Sequence, residues 1–200
     1  MADDTFLTLA APSEGLYKEK GSKFLAFAYP VTGEEEIKAH VERIKKEYFD
    51  ARHHCYAYCL GPKKETFRQN DDGEPSGTAG KPIHGQLLSK DITDCLIVVV
   101  RYFGGIKLGV SSLINAYKTA ARDAIDNAQI VEKTVDDEYR VKFEYTLMND
   151  VMRILKDFAI PPKNQIFELD CQLDFAIRQS KSQQIYDAFV NLRTVAIEKL

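Results

Sequence analysis

The sequence lacks the features that mark membrane-spanning, secreted and strongly polyanion-binding proteins. No apolar run approaches the roughly 20 residues that a transmembrane helix needs, and the start Met1-Ala2-Asp3-Asp4 is acidic where a signal or transit peptide would be basic. Four cysteines among 200 residues are too few and too scattered for a disulfide framework. The formal net charge is only -3, which argues against generic polyanion binding. We therefore expect a cytoplasmic protein without disulfides or membrane contact.

What the sequence does contain is the composition of an ordinary globular chain, with 44% hydrophobic and 28% charged residues. Alternating residues predict two strands within residues 16–31, joined by a turn at Gly21-Ser22. Thr32 and Glu35 have the spacing of a capping box before an amphipathic helix that extends to Tyr48. The other elements predicted here are strands over residues 55–60, 65–69 and 95–101, a short helix from His84 and a long helix over residues 111–128.

A second pattern follows residues 134–137, which we interpret as a linker. Its order is strand, helix, strand, strand, helix, strand, which is typical of a ferredoxin-like domain. The sequence therefore predicts an α+β protein with two domains, over residues 1–133 and 137–200.

The first candidate site is the loop over residues 70–82, which is rich in glycine and proline and therefore predicted to lie on the surface. It is not a Walker A motif, because Pro75 and Pro82 occupy required glycine and hydroxyl positions. It is not an EF-hand either, because Ala79 stands where the last carboxylate is needed. The carboxylates could hold Mg²⁺ while the amides and lysine hold a phosphate, or the segment is a solvated acidic turn. The candidate binding residues are Asp71, Asp72, Glu74, Ser76, Thr78 and Lys81.

The second candidate site joins the apolar strand to the start of the long helix. Free N–H groups at a helix start attract anions, and two cations lie nearby. The two serines would bond a phosphate or cap the helix, and the glycine spacing excludes the dinucleotide-binding pattern. The candidate residues are Arg101, Tyr102, Gly104, Gly105, Lys107, Gly109, Ser111 and Ser112.

The third candidate is the strand that contains His53, Cys55 and Cys59 on one face. At about 3.3 Å per residue, the two cysteines would lie about 13 Å apart, too far to bind one zinc ion. His53 and Cys55 could form a base and nucleophile pair, or they pack beneath the loop. The nearby aromatic residues could stack on bases or belong to the core. We predict no metal and no cofactor.

Three stretches in this order closely resemble the IMPACT/YigZ family. They are residues 53–58, residues 71–82, and residues 98–109 followed by Ala116-Tyr117. The resemblance covers Gly15 to about Val131, and the C-terminal pattern resembles the second domain of bacterial members. It implies a ribosomal protein S5 domain 2-like fold followed by a ferredoxin-like domain similar to domain V of elongation factor G.

Eukaryotic members of that family restrain the general amino-acid control kinase by competing for its ribosome-bound activator, and they carry an additional RWD domain. This sequence has no room for that domain, so we expect the bacterial short form. It departs from the family at Ser111-Ser112, where glycines are usual. Residues 108–112 are in that respect similar to the phosphate loop of GHMP kinases, which share the S5-like fold.

Three functional hypotheses follow. The leading one is a non-enzymatic binding protein of the translation apparatus that engages structured RNA or a ribosome-associated factor, with Lys81, Arg101 and Lys107 on phosphates. The alternative is a Mg²⁺-dependent enzyme that handles phosphates or nucleotides, although no unambiguous nucleophile or base is visible. The third is a protein adaptor that uses the C-terminal sheet.

Overall fold

The computed structural model describes residues 4–200 and divides into two compact α+β units. The first unit comprises residues 6–133, and the second comprises residues 134–200 together with Asp4 and Thr5. None of the helices within residues 4–200 combines the length and the apolar character needed to cross a membrane.

The first unit is built on a five-stranded sheet. The elements in chain order are β1 (Thr5–Leu9), β2 (Ser13–Glu19), β3 (Ser22–Pro30), α1 (Glu34–Glu47), β4 (His53–Leu60), β5 (Thr66–Asn70), α2 (Gly80–Ser89), β6 (Cys95–Tyr102), α3 (Val110–Asp126) and β7 (Ile130–Thr134). The sheet order is β2-β3-β6-β4-β5, with antiparallel neighbours throughout. Strands β1 and β7, which the sequence patterns did not predict, form a separate pair.

The central strand β6 is buried on both faces, as its apolar run predicted. Cys95, Ile97 and Val99 join the core under α2 and α3. Their neighbours in sequence point the other way, into a second core that includes Ile37 and Ile44 of α1. Successive residues of a strand alternate between faces, so each functional residue near the end of β6 belongs to one face only.

Helix α3 packs unusually close to β2. Ala120 and Ala124 are fully buried, and a Cβ placed on Gly15 would lie 2.3 Å from the backbone nitrogen of Ala124. The hydroxyl of Ser13 donates to the Ala124 carbonyl at 2.8 Å. Small residues on both sides permit this contact, which confirms the close approach to a sheet that the alanine pattern predicted.

Local details differ from the sequence predictions at the ends of elements. The β2–β3 hairpin is confirmed, but its turn is Lys20-Gly21, both with positive φ, a combination that matches the twist of a hairpin. The predicted capping box is wrong: α1 has Gly33 at its N-cap without a side-chain cap. Instead, the Glu36 carboxylate accepts hydrogen bonds from the Thr32 amide at 2.8 Å and hydroxyl at 3.3 Å.

The second unit is a four-stranded antiparallel sheet with two helices. Its elements are β8 (Asp136–Glu144), α4 (Met148–Asp157), β9 (Lys163–Ile166), β10 (Asp170–Arg178), α5 (Ser182–Val190) and β11 (Ala196–Lys199), in the sheet order β11-β8-β10-β9. Val151, Leu155, Ile185 and Phe189 of the helices are buried in its core. The predicted linker at residues 134–137 is wrong, because β7 extends to Thr134 and β8 begins at Asp136.

The second unit also contains a charge cluster on neighbouring strands. Arg140 donates two hydrogen bonds to the Asp174 carboxylate, at 2.8 and 2.9 Å, and Asn164 donates a third at 3.0 Å. The hydrogen bonds from Arg140 lower the pKa of Asp174 to about 2. The carboxylate is therefore held in its charged form down to strongly acidic pH.

Replacing Asp174 with asparagine is expected to flatten the acid dependence of stability. Because the folded pKa lies below the unfolded value, the stabilisation from ionised Asp174 is present above about pH 4 and is lost as the pH falls towards 2. The wild-type urea midpoint, followed by circular dichroism, should therefore fall more steeply over this interval than that of Asp174→Asn. Asp157→Asn, an equal charge change at an exposed site, is the control, and parallel curves for all three proteins would contradict the expectation.

Candidate functional site

The Asp71 carboxylate organises the glycine-rich loop. One oxygen accepts a hydrogen bond from the Gly77 amide at 2.8 Å, and the other accepts from the amides of Ala79 at 3.0 Å and Gly80 at 2.8 Å. The bonds from Ala79 and Gly80 satisfy amides at the start of α2, which have no partner within the helix. Helix α2 consequently begins at Gly80, four residues before the predicted start at His84, and the predicted loop is shorter at that end.

Asp72 also serves the local structure. Its carboxylate accepts from the His54 amide at 2.7 Å and lies 3.4 Å from the ammonium of Lys45. Its backbone carbonyl lies 2.8 Å from Nδ1 of His53. Both aspartates of the loop are thus committed to protein partners, and within residues 4–200 no group of three or more His, Cys, Asp or Glu side chains is arranged to hold a metal ion.

Glu74 forms a buried ion pair with Arg101. Nη1 of Arg101 donates to Oε1 of Glu74 at 2.6 Å, and the Tyr117 hydroxyl donates to the same oxygen at 2.8 Å. Nε2 of His53 lies 4.0 Å away. The two paired side chains are only 4% and 8% exposed, so Glu74 belongs to neither a solvated acidic turn nor an exposed metal site.

Two aromatic rings lie close to the guanidinium of Arg101. Its guanidinium carbon lies 5.5 Å from the Phe24 ring centroid and 5.9 Å from that of Phe103, an arrangement that favours a cation. Its Nε is the only buried side-chain nitrogen or oxygen within residues 4–200 that lacks a hydrogen-bond partner. Such unpartnered groups are rare in folded proteins because each costs free energy.

Cys55 lies beneath the loop as a neutral thiol. Its sulfur is 3.0 Å from the Asp71 carbonyl and 3.4 Å from the Tyr117 hydroxyl. Burial raises the pKa of both the Cys55 thiol and the Tyr117 hydroxyl. A thiol that does not ionise near neutral pH is a poor nucleophile, so this geometry favours packing beneath the loop over the base and nucleophile pair.

A cavity of 310 Å³ opens beside the buried ion pair. We call it the Arg101 pocket. Three cations line it against one carboxylate, which leaves an excess of two positive charges. The remaining wall is apolar apart from one histidine. The lining residues are Arg52, Arg101, Lys107 and Glu74, then His53, then Pro75, Phe103, Leu108 and Leu113.

The structure thus brings four predicted residues together and separates others. His53, Glu74, Arg101 and Lys107 share the Arg101 pocket, whereas Lys81 lines a different cavity between α2 and α3. The three cations predicted to act together therefore do not form one cluster.

Tyr102 belongs to the opposite face of the sheet and contacts the α1 core. Its hydroxyl donates to the Asp50 carboxylate at 2.7 Å, and this hydrogen bond raises the pKa of Tyr102 to about 12. Tyr102 therefore cannot act beside Arg101, although the two are adjacent in sequence.

The remaining predicted residues shape the backbone around the pocket or stand apart from it. Ser76 is exposed on the loop, and the buried Thr78 closes a turn by donating to the Pro75 carbonyl at 2.6 Å. Gly104 contacts the β2–β3 turn, and Gly105 has a φ of +87°. Gly109 is the N-cap of α3, which has no side-chain cap. Ser111 and Ser112 therefore do not cap the helix, and neither lines the pocket.

Sequence patterns did not assign a role in the site to two important residues of this region. Tyr117 has helical spacing typical of a core position, and nothing in that spacing indicates that its hydroxyl would meet Glu74. Arg52 precedes His53 at the end of a loop, where an exposed arginine is unremarkable. The only feature of the sequence that pointed to Arg52 was its position next to the motif of residues 53–58.

Comparison with known proteins places this region in a recognised family. The model of the Impact N-terminal domain matches residues 20–125, a range that contains every residue of the Arg101 pocket. The chain is 36% identical over 154 residues to the IMPACT family member YigZ of Escherichia coli, covering 76% of each protein. It is 35% identical over 136 residues to YvyE of Bacillus subtilis, covering 68% of this chain and 63% of that one. The chain belongs to the IMPACT family.

The likeness extends to a solved structure. A crystal structure described as that of "an hypothetical protein" superimposes with a TM-score of 0.78 at 30% sequence identity, and the match covers 98% of both chains. The similarity therefore includes the second unit as well as the Impact N-terminal domain.

Proposed function

We propose that this protein acts in the control of translation by binding structured RNA through the Arg101 pocket and its cationic rim. Membership of the IMPACT family supports the connection with translation, because the resemblance to eukaryotic members implies such a role. The sequence alone left structured RNA and a ribosome-associated factor as alternative partners. The geometry favours RNA.

The observation that carries the proposal is the unpaired positive charge at the pocket. Arg52 and Lys107 are exposed, and within the described chain neither forms an ion pair. Together with Arg101 they exceed the single carboxylate of the pocket by two charges. On a chain of net charge -3, such a local excess indicates phosphate contacts at one place rather than general attraction to polyanions.

An exposed aromatic ring beside these cations favours RNA over a protein partner. Phe103 is 53% exposed and flanks Arg101. Proteins recognise RNA by stacking bases on aromatic rings next to phosphate-binding cations. A cationic rim and an open ring together meet both requirements.

The geometry gives no support to a Mg²⁺-dependent enzyme. Asp71, Asp72 and Glu74, the carboxylates proposed to hold the metal, are engaged by backbone amides, a lysine and an arginine. The serines at the start of α3 lie outside the pocket wall. Phosphate binding here rests on side-chain cations instead.

The finer fold assignments are part of the same proposal. We assign the first unit to the ribosomal protein S5 domain 2-like fold and the second to the ferredoxin-like fold of elongation factor G domain V. For the second unit, the support is its element order together with the sheet order β11-β8-β10-β9. For the first unit, the support is family membership.

Reversing the two free charges of the rim is expected to weaken association with RNA strongly and to make the remaining association less dependent on salt. Arg52→Glu combined with Lys107→Glu should remove about two phosphate contacts and thereby reduce the magnitude of the slope of log affinity against log salt by about 1.4 to 1.8. The measurement is co-sedimentation with ribosomes, and separately with bulk tRNA, across a salt series. Arg101 is left intact because its replacement would disturb the buried ion pair.

The matched control is Lys81→Glu combined with Lys118→Glu, an equal charge reversal at the cavity between α2 and α3. It should retain wild-type association. Equal loss in both variants would show a nonspecific charge effect. Association with ribosomes that neither salt nor the rim variant weakens would indicate a protein partner, and no association at any salt would overturn the proposal.

A further inference from the structure

The Arg101 pocket is too small for a helix of RNA but has the size of a single nucleotide. Its volume of 310 Å³ lies at the lower end of the range of about 300–1,000 Å³ for small-molecule sites. We infer that the pocket binds one unpaired nucleotide of an RNA strand. This inference rests on the proposed function and specifies which part of the RNA the pocket recognises.

The cations of the pocket suit the phosphate of such a nucleotide. Arg52 and Lys107 have free charges at the rim, whereas most of the charge of Arg101 is balanced by Glu74. Arg101 nevertheless has one buried nitrogen, Nε, without a partner. Because that nitrogen is buried, the exposed cations Arg52 and Lys107 are the groups that would contact the phosphate directly.

The apolar wall suits the base. Phe103 is half exposed although its ring already contacts the guanidinium of Arg101, and Pro75, Leu108 and Leu113 line the same cavity. Stacking on an aromatic ring is available to every base, because each base has a π-face. The pocket therefore favours an unstacked base without strong selectivity among the four.

Glu74 adds an acceptor that a plain anion site would not contain. Its Oε1 receives hydrogen bonds from Arg101 and Tyr117. Within the described chain, both hydrogen bonds to this carboxylate go to Oε1 and none goes to Oε2. Because Glu74 lines the pocket, Oε2 is available to an exocyclic amine or to a 2′-hydroxyl group. A carboxylate repels free phosphate, whereas a nucleotide has donors to offer it.

The test uses a tryptophan placed in the pocket. The chain has no tryptophan, so Phe103→Trp keeps an aromatic ring and provides a single fluorescent reporter. The ligands are a single-stranded uridine hexamer with a 5′-phosphate, UMP, uridine and inorganic phosphate, with calorimetry on the wild-type protein as a second readout. We expect saturable changes with the hexamer and UMP. Uridine and inorganic phosphate should each bind at least about tenfold more weakly than UMP, because one lacks the phosphate and the other lacks the base.

Removing the Phe103 ring should weaken binding of the hexamer without disturbing the fold. Phe103→Ala is expected to lower affinity for the hexamer by about tenfold or more while leaving the circular dichroism spectrum unchanged. Phe49→Ala is the control, because Phe49 is 81% exposed and lies outside the pocket wall. Its affinity should equal that of the wild type.

The outcomes separate this inference from the proposed function. Inorganic phosphate binding as tightly as UMP would overturn the inference in favour of a simple anion site. UMP binding much more tightly than the hexamer would overturn it in favour of a free nucleotide. If no ligand changes the tryptophan fluorescence or gives a calorimetric signal, while association with ribosomes is intact, the inference alone is overturned. Hexamer binding without association with ribosomes or tRNA would support the pocket and overturn the proposed function.

Discussion

Replacing Arg101 with methionine is expected to lower the free energy of unfolding of the first unit by about 3–5 kcal/mol. The reason is that the change leaves the Glu74 carboxylate without its cationic partner. This carboxylate is 4% exposed and lies 2.6 Å from the arginine, so without Arg101 it would be a buried charge with only the Tyr117 hydroxyl as a donor. Removing one member of a buried ion pair destabilises a protein far more than replacing the whole pair with apolar residues of similar volume does.

The double variant Arg101→Met with Glu74→Gln is the decisive control. Glutamine is neutral, and its oxygen still accepts the hydrogen bond from Tyr117, so we expect the double variant to recover at least half of the lost stability. A strong positive coupling between the two sites is the signature of a direct pair. Hydrogen exchange at the amides of β6 reports on the first unit separately from the second. A double variant as unstable as Arg101→Met would show that packing against Phe24 and Phe103, not charge, explains the effect.

Replacing Gly104 with alanine is expected to destabilise the first unit by about 3 kcal/mol, at the upper end of the cost of overpacking. A Cβ on Gly104 would lie 1.9 Å from the carbonyl carbon of Gly21 and 2.1 Å from the backbone nitrogen of Ser22. Both are backbone atoms of the β2–β3 hairpin, so no rotation of a side chain relieves the overlap. The hydrogen bond from the Gly104 amide to the Ser22 hydroxyl, now 3.1 Å, would be lost as well.

Gly85→Ala provides the matched comparison. Gly85 lies within α2, and a Cβ there meets nothing within 4 Å, so alanine should stabilise the helix by about 0.5–1 kcal/mol. Urea unfolding of both variants should therefore shift the midpoint in opposite directions. Equal shifts would mean that the loss of backbone freedom, not the contact with the hairpin, determines the effect at Gly104.

Much of the fold could be predicted because it depends on local patterns. The apolar run that became β6 was predicted as a strand buried on both faces, and it is one. Small residues along α3 predicted a close approach to the sheet, which the contact between Gly15 and Ala124 shows. Hairpins followed from turn residues between alternating segments. In each case, neighbours in sequence carry the information.

The arrangement of the candidate site depends on contacts between distant residues, which sequence patterns do not contain. Glu74 and Arg101 are 27 positions apart, and their pairing follows from the register of β4 with β6, where His53 stands opposite Arg101. Because successive residues of a strand alternate between faces, Tyr102 lies on the other face of the sheet. Acidic residues in a glycine-rich loop left both a Mg²⁺ site and a solvated turn open, because composition does not reveal that Asp71 would accept hydrogen bonds from three amides of its own loop.

The inclusion of Asp4 in the second unit has a consequence for synthesis. Arg178 donates two hydrogen bonds to the Asp4 carboxylate, both of 2.7 Å, across 174 positions of sequence, and the Val135 amide donates to the Asp4 carbonyl at 2.8 Å. All of the first unit, in contrast, has been made once residue 133 has left the ribosome. Since domains fold as units while the chain emerges, the first unit can fold early. Asp4 is made early, but its partner Arg178 is made 174 positions later, so the second unit is completed last.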